Sequence, residues 1–188
     1  MTQRSYPFTK NPDGSDGTTT DAEFSAMFGM VFPSGVDGFY KSGSLLVSAD
    51  SSGMTVKVAA GRALVDGHYY SSSEQEPLPI DANLNSGGAT RVDTIVIHKE
   101  YGTVNNAFLK VVSGDPGGGA PTLTQNPQGT FEFPLADVNV PSGAVTIAPS
   151  QVIDRRVWWG IEFMRRFGLV IGPTAPDPKT AFLFVKTA

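Results

Sequence analysis

From Leu45 onward the apolar residues of this chain fall at every second position, in short runs separated by Gly, Pro, Asn and Asp. A period of two sends alternate side chains to opposite faces of an extended backbone, which excludes a bundle of amphipathic helices as the main architecture. Leu45 and Val47 alternate, and so do Met54, Val56 and Val58. Asp66-Gly67 stands between Ala63-Leu64-Val65 and His68-Tyr69-Tyr70, a two-residue hairpin sequence whose turn takes positive φ. Residues 91–101 carry Ile95-Val96-Ile97, apolar on both faces, as in a strand covered on both sides. Residues 106–113 are the expected antiparallel partner, across a turn around Gly102. Further strands are expected at 130–140 and 144–147.

Composition agrees with this pattern. The 188 residues include 21 Gly and 14 Pro, enough to punctuate many short strands. Charged residues make up 17%, below the ~25% of an average globular chain. One helix is expected. Thr20-Asp21-Ala22-Glu23 has the capping-box spacing, in which the Thr hydroxyl and the Glu carboxylate each satisfy a backbone N–H of the first turn. Phe24, Met27, Phe28 and Val31 then follow at helical spacing on one face, and Pro33 and Gly35 end the run.

The fold expected is mainly β: an antiparallel β-sandwich with one short N-terminal helix and a C-terminal β-hairpin extension. Residues 1–19 read as an extended polar arm. Residues 20–156 read as the helix plus the sandwich, and 157–188 as a small extension that forms a hairpin and an interface. Within that extension 157–166 fits both periods. Trp158, Ile161 and Met164 suit a helix; Trp159, Ile161 and Phe163 suit a strand. The hairpin is expected between 167–171 and 181–186, across the Pro-rich 172–179.

Several function classes are excluded or disfavoured by what the sequence contains. There is no cysteine, hence no disulfide, thiolate nucleophile or zinc–sulfur site. Net charge is −4 and no stretch concentrates Lys and Arg, which argues against nucleic acid as a partner. No apolar stretch approaches the length of a membrane span, so membrane insertion is not expected. Behind Arg4 no apolar run follows, so no secretory signal is expected. The two histidines, His68 and His98, lack partners at metal-ligand spacing. The Gly-rich run at 114–119 lacks the Gly-Lys-Ser/Thr ending of a phosphate-binding loop. Asn11 to Gly17 faintly resembles a calcium loop, but Asp13 and Asp16 lack the alternate spacing of its carboxylates and no Glu stands at the bidentate position. Neither an enzyme nor a cofactor is expected.

Two sets of residues stand out instead. Arg91 and Asp93 share a strand face with Ile95 and Ile97, which directs both charges toward the core or its rim. A charge there must be paired and hydrogen-bonded. Asp154, Arg155 and Arg156 are candidates to complete that structural network. A second set is apolar and aromatic: Phe24, Met27, Phe28, Trp158, Trp159, Phe163, Met164 and Phe167, residue types enriched at subunit interfaces. Tyr69, Tyr70, Tyr101, Trp158 and Trp159 also suit a sugar-stacking platform.

Four segments occur in a telling order. They are Gly61 through Tyr70; Arg91-Val92-Asp93-Thr94-Ile95-Val96-Ile97; Leu135-Ala136-Asp137-Val138; and Ile153-Asp154-Arg155-Arg156. Together, over residues 20–156, they resemble the N-terminal domain of siphophage baseplate and minor tail proteins, the group that includes baseplate upper proteins. The resemblance implies a β-sandwich that attaches a peripheral component to the tail tip and carries no catalytic residue. Family members often continue into a stalk and a receptor-binding head, whereas this sequence ends at Ala188, so an adaptor or anchor role is expected over direct receptor binding. The partners implied are further copies of the chain, as a trimer, and other tail or baseplate proteins. The location implied is the virion, assembled in the host cytoplasm. The alternative expectation is a carbohydrate-binding β-sandwich that recognises a cell-surface glycan.

Overall fold

A computed structural model describes residues 20–38, 43–101, 105–127, 129–160, 163, 169–172 and 183–186. Helix α1, Asp21–Val31, begins at the capping box. Glu23 N–H donates to Thr20 Oγ1 at 3.3 Å, and Thr20 N–H donates to Glu23 Oε2 at 2.9 Å. The strands that follow are β1 Gly35–Val36, β2 Val47–Ser48, β3 Thr55–Val58, β4 Gly61–Val65, β5 His68–Ser72 and β6 Glu76–Pro79. After them come β7 Arg91–Glu100, β8 Asn106–Val112, β9 Phe131–Val140, β10 Val152–Asp154, β11 Leu169–Gly172 and β12 Leu183–Lys186.

Three antiparallel sheets form, ordered β10-β9-β7-β8, β1-β4-β5 and β2-β3-β6. Their inner faces meet in one cluster. Val36, Val56, Val58, Val65, Ile95, Ile97, Leu135, Val138 and Val140 are all fully buried in it. Each such side chain contributes roughly 1.5–3 kcal/mol relative to exposure, so this cluster dominates the stability of the body. The chain is mainly antiparallel β with one N-terminal helix, arranged like a sandwich.

Strand β7 organises the body. Its core face reads Arg91, Asp93, Ile95, Ile97 and Lys99, two isoleucines bracketed by charges, and every one is buried. Its other face carries Thr94, Val96 and His98, also buried. Alongside it, β9 holds Pro134 mid-strand. Ile95 is opposite Ala136 and Val96 is opposite Pro134, leaving Leu135 as the extra residue of a bulge. The bulge shifts the alternation by one position. Phe133 and Leu135 face the core before it, and Ala136, Val138 and Val140 after it. A proline is tolerated there because the ladder is already interrupted.

Three expectations need correction, and one strand was not expected. Residues 144–147 form no strand. Val145 is exposed, and Ile147 alone enters the core, exchanging backbone hydrogen bonds with Ser51 and Gly53. The run from Leu45 is a strand only at Val47–Ser48, because Leu45 has φ 53° and turns the chain. Glu76–Pro79 is a strand that Pro77 and Pro79 conceal; it lies at a sheet edge, where one side of the backbone pairs with nothing and proline is accepted. Finally, β11 and β12 pair in parallel, Leu169 opposite Leu183 and Gly172 opposite Lys186, so the end of the chain is not a hairpin. A four-residue strand spans roughly 13 Å. The connection 173–182 is long enough to return along it, so the second strand can start in the same direction.

Trp159, Gly160 and Phe163 have helical backbone, whereas Trp158 forms a β-bridge to Val36; 161–162 and 164–166 lie outside the described residues. The arm at 1–19, the turn around Gly102, and Met164 and Phe167 lie outside the described residues. No helix among the described residues is long and apolar enough to cross a membrane.

Candidate functional site

The first predicted network sits at one end of β7. Arg91 Nε and NH2 donate to the two oxygens of Asp93, each at 2.7 Å. Asp93 is completely buried. Spare donors of Arg91 reach Ala82 O at 3.2 Å and Asp81 O at 2.6 Å, and Gly114 N–H donates to Asp93 Oδ1 at 3.2 Å. These bonds hold Arg91 even more firmly protonated than usual, against the opposing pull of burial. A fork of parallel donors on a carboxylate fixes geometry as well as charge. The pair therefore pins two loops to the central strand.

Asp154, Arg155 and Arg156 do not join it. Arg155 donates to Asp137 at 3.1 Å, and Asp137 also accepts from Thr94 Oγ1 at 2.7 Å. Arg156 donates to Asp154 through Nε at 2.9 Å and NH2 at 2.6 Å. Its NH1 reaches Ser44 O at 2.7 Å, and its guanidinium lies 4.8 Å from the centre of the Trp158 ring. Hydrogen bonds from Arg156 hold the Asp154 carboxyl below its ordinary value, outweighing burial. The expected single network is thus three separate pairs, Arg91–Asp93, Arg155–Asp137 and Arg156–Asp154. Alternation along β10 separates Asp154 from β7, with β9 between them.

The far end of β7 holds a further cluster that periodicity did not single out. Lys99 is 1% exposed, and its ammonium donates to Asp66 at 2.5 Å and to Pro127 O at 3.1 Å, 4.2 Å from the centre of the Tyr101 ring. Asp66 and Gly67 form the β4–β5 turn, with φ 46° and 76° as the Asp-Gly sequence predicts. The ion pair therefore ties β7 to the neighbouring sheet. His68 accepts or donates at both ring nitrogens, to Ser25 Oγ at 3.0 Å and Tyr101 OH at 3.0 Å. Ser25 Oγ also donates to Asp66 O. Helix α1 sits so close to the turn that a Cβ on Gly67 would collide with the Ser25 carbonyl oxygen. His98 has its own partner, with Nδ1 3.2 Å from Glu132 Oε1. Burial raises the Glu132 carboxyl, but Thr124 N–H, His98 and Lys110 outweigh it and leave it below its ordinary value. Among the described residues, no group of three acidic, His or Cys side chains could hold a metal.

Beside this cluster a cleft of about 490 Å³ opens between β5 and the start of β8. Tyr69, Tyr70, Ser71, Glu100, Tyr101 and Asn106 line it, with Phe24 at its mouth. Three of the five aromatics expected to form a platform meet here; Trp158 and Trp159 lie elsewhere. Burial pushes the Tyr70 phenol up, and Glu76 adds to the effect, so it remains a neutral donor.

The predicted interface residues form a second feature, an aromatic strip. Ring centroids are 4.6 Å apart for Phe24–Phe28, 5.9 Å for Phe28–Phe32, 6.1 Å for Phe32–Trp159 and 5.4 Å for Trp159–Phe163. These are contact distances for aromatic pairs. Phe32 bridges the helix to the segment after 156, and the sequence reading had left it out. Phe24 is 51% exposed, Met30 79% and Val31 43%, while Met27, Phe28, Trp159 and Phe163 are half-buried. A groove of about 290 Å³ lies along the strip, between Phe28, Phe32, Leu64, Tyr69 and Trp159. Trp158 belongs to the body instead. It bridges Val36 and packs on the core, and Val36 N–H donates to Val157 O at 2.7 Å. Gly35 permits this crossing, since a Cβ there would meet the Trp159 backbone at 2.5 Å.

No protein-family model, no curated protein and no solved structure matches this chain.

Proposed function

We propose that this chain is a non-enzymatic structural component of a bacteriophage tail tip or baseplate, a homotrimer that anchors other tail proteins within the virion. The observation that carries the reading is the aromatic strip. Five rings run in continuous contact from α1 through Phe32 to Phe163, beside exposed Met30 and Val31, on the outside of a body whose own core is complete. Apolar surface concentrated in this way marks an association site more often than it occurs on a free monomer. The order of motifs over residues 20–156, which resembles baseplate and minor tail proteins, supplies the biological setting. The buried charge pairs suit the role, because they fix loops and sheets to one another and leave the strip on a rigid support.

Light scattering on the full chain tests the assembly step, and mass spectrometry of purified particles tests the setting. The trimer mass is expected, and Phe28→Ser with Phe32→Ser should reduce it to the monomer mass while the sheet spectrum persists. A chain that stays monomeric at high concentration and is missing from purified virions overturns the reading.

A further inference from the structure

We propose that the cleft between β5 and the start of β8 is a binding site for a neutral, hydroxyl-rich saccharide. This inference is independent of the assembly reading. Its volume of about 490 Å³ falls in the ~300–1,000 Å³ range of small-molecule sites. The lining combines aromatic residues with hydrogen-bonding groups, a composition that suits a sugar's C–H faces and hydroxyls.

The polar groups divide sharply. Those at the floor are already committed: Lys99 to Asp66 and Pro127 O, and His68 to Ser25 and Tyr101. Those on the walls are not. Among the described residues, the hydroxyls of Tyr69, Tyr70 and Ser71 and the amide NH2 of Asn106 engage no protein partner, and they offer donors and acceptors to a ligand. Charge then narrows the class. The Lys99 ammonium is neutralised by Asp66 and Glu100 contributes a carboxylate, so the cleft holds no surplus positive charge for phosphate, sulfate or sialate. A carboxylate is instead a good acceptor for neighbouring sugar hydroxyls. An extended peptide fits less well. Only Asn106 and Ala107 of β8 reach the lining, too little of that edge for a strand to pair along it.

The test is a glycan array probed with the full chain, carrying neutral, sialylated and sulfated oligosaccharides, followed by titration of the best neutral hit. Retention of neutral glycans is expected. Tyr69→Ala and Asn106→Ala, both at exposed positions, should each weaken binding by about tenfold, the size of one or two lost contacts, with the melting temperature unchanged. Tyr69 also borders the aromatic groove. Asn106 does not, so Asn106→Ala should show that weakening and keep the oligomer mass, which separates this site from the assembly surface. The proposal is overturned by no neutral binding at millimolar sugar, by binding that neither variant weakens, by retention of acidic glycans alone, or by a cleft that takes extended peptide instead.

Discussion

The sheet body and the aromatic periphery use opposite means to hold their side chains in place. In the body, a buried charge is matched by a partner within about 3 Å, as Asp93 is by Arg91 and Lys99 by Asp66, and apolar residues reach zero exposure. Along the strip, large rings touch one another but stay half open to solvent, and α1 is held chiefly through Ser25 and the turn beneath it. The body is therefore packed to completion, whereas the strip keeps apolar surface open to solvent. Stability should respond to changes in the first region, and association to changes in the second.

The largest break of that contrast comes from Asp93→Asn. The amide cannot balance Arg91, which is left as a buried cation facing carbonyl oxygens, and loss of one partner of a buried pair costs about 3–5 kcal/mol. Chemical denaturation measures it. A loss within about 0.5 kcal/mol, as at an ordinary surface site, would show that the pair does not hold the loops. Next is a matched comparison of core and strip. Ile97→Ala should cost about 2–5 kcal/mol, whereas Phe24→Ala, at a half-exposed ring, should stay within about 0.5 kcal/mol. Equal losses would mean that the helix is as much a part of the core as β7.

Smaller effects sharpen the boundary. Thr20→Ala removes the capping hydroxyl, worth about 1 kcal/mol. The change should appear as lost helix signal in circular dichroism, with the main unfolding transition unmoved. Acid titration gives the least. Arg156 holds Asp154 below its ordinary value, so the folded state favours the ionised carboxylate. Its stabilisation is complete above the unfolded value near pH 4 and fades as pH falls through the lower folded value. Since Asp154 is half exposed, the effect is about 1 kcal/mol or less. Wild type and Asp154→Asn should differ at pH 6 and converge in strong acid. A gap that widens as the pH drops contradicts the assignment.

The features legible in the sequence were those written within a few residues. The Thr20–Glu23 box, the Asp66-Gly67 turn and the two-faced strand β7 each depend on spacings of three or fewer, and each stands where the pattern placed it. The need for a partner at Asp93 was legible too, but the choice of Arg91 over the 154–156 segment was not. Pairs that join distant segments left no such mark. Lys99 to Asp66 and His98 to Glu132 are set by sheet order and register, which periodicity does not supply. One signal was available: Lys99 shares the alternation of Asp93, Ile95 and Ile97, so its side chain had to face inward and find an anion. Strand β6 left no mark because two of its four residues are prolines, a composition that a sheet edge accepts and a sheet middle does not. The parallel ending of the chain escaped notice because a Pro-rich connection says that the chain turns, not which way it next runs.

Asp66 does three jobs with one residue. Its N–H donates to Ser34 Oγ at 2.9 Å, its carbonyl accepts from Ser25, and its carboxylate meets Lys99. In the vocabulary of turns, Asn-Gly is a synonym for Asp-Gly and bends a hairpin equally well. In this molecule the two words differ in meaning. Asn at 66 would keep the bend and the backbone bonds, yet leave an enclosed ammonium facing an amide and the Pro127 carbonyl. A substitution that every local rule calls silent would thus loosen the joint between two sheets, beneath the cleft and the helix together.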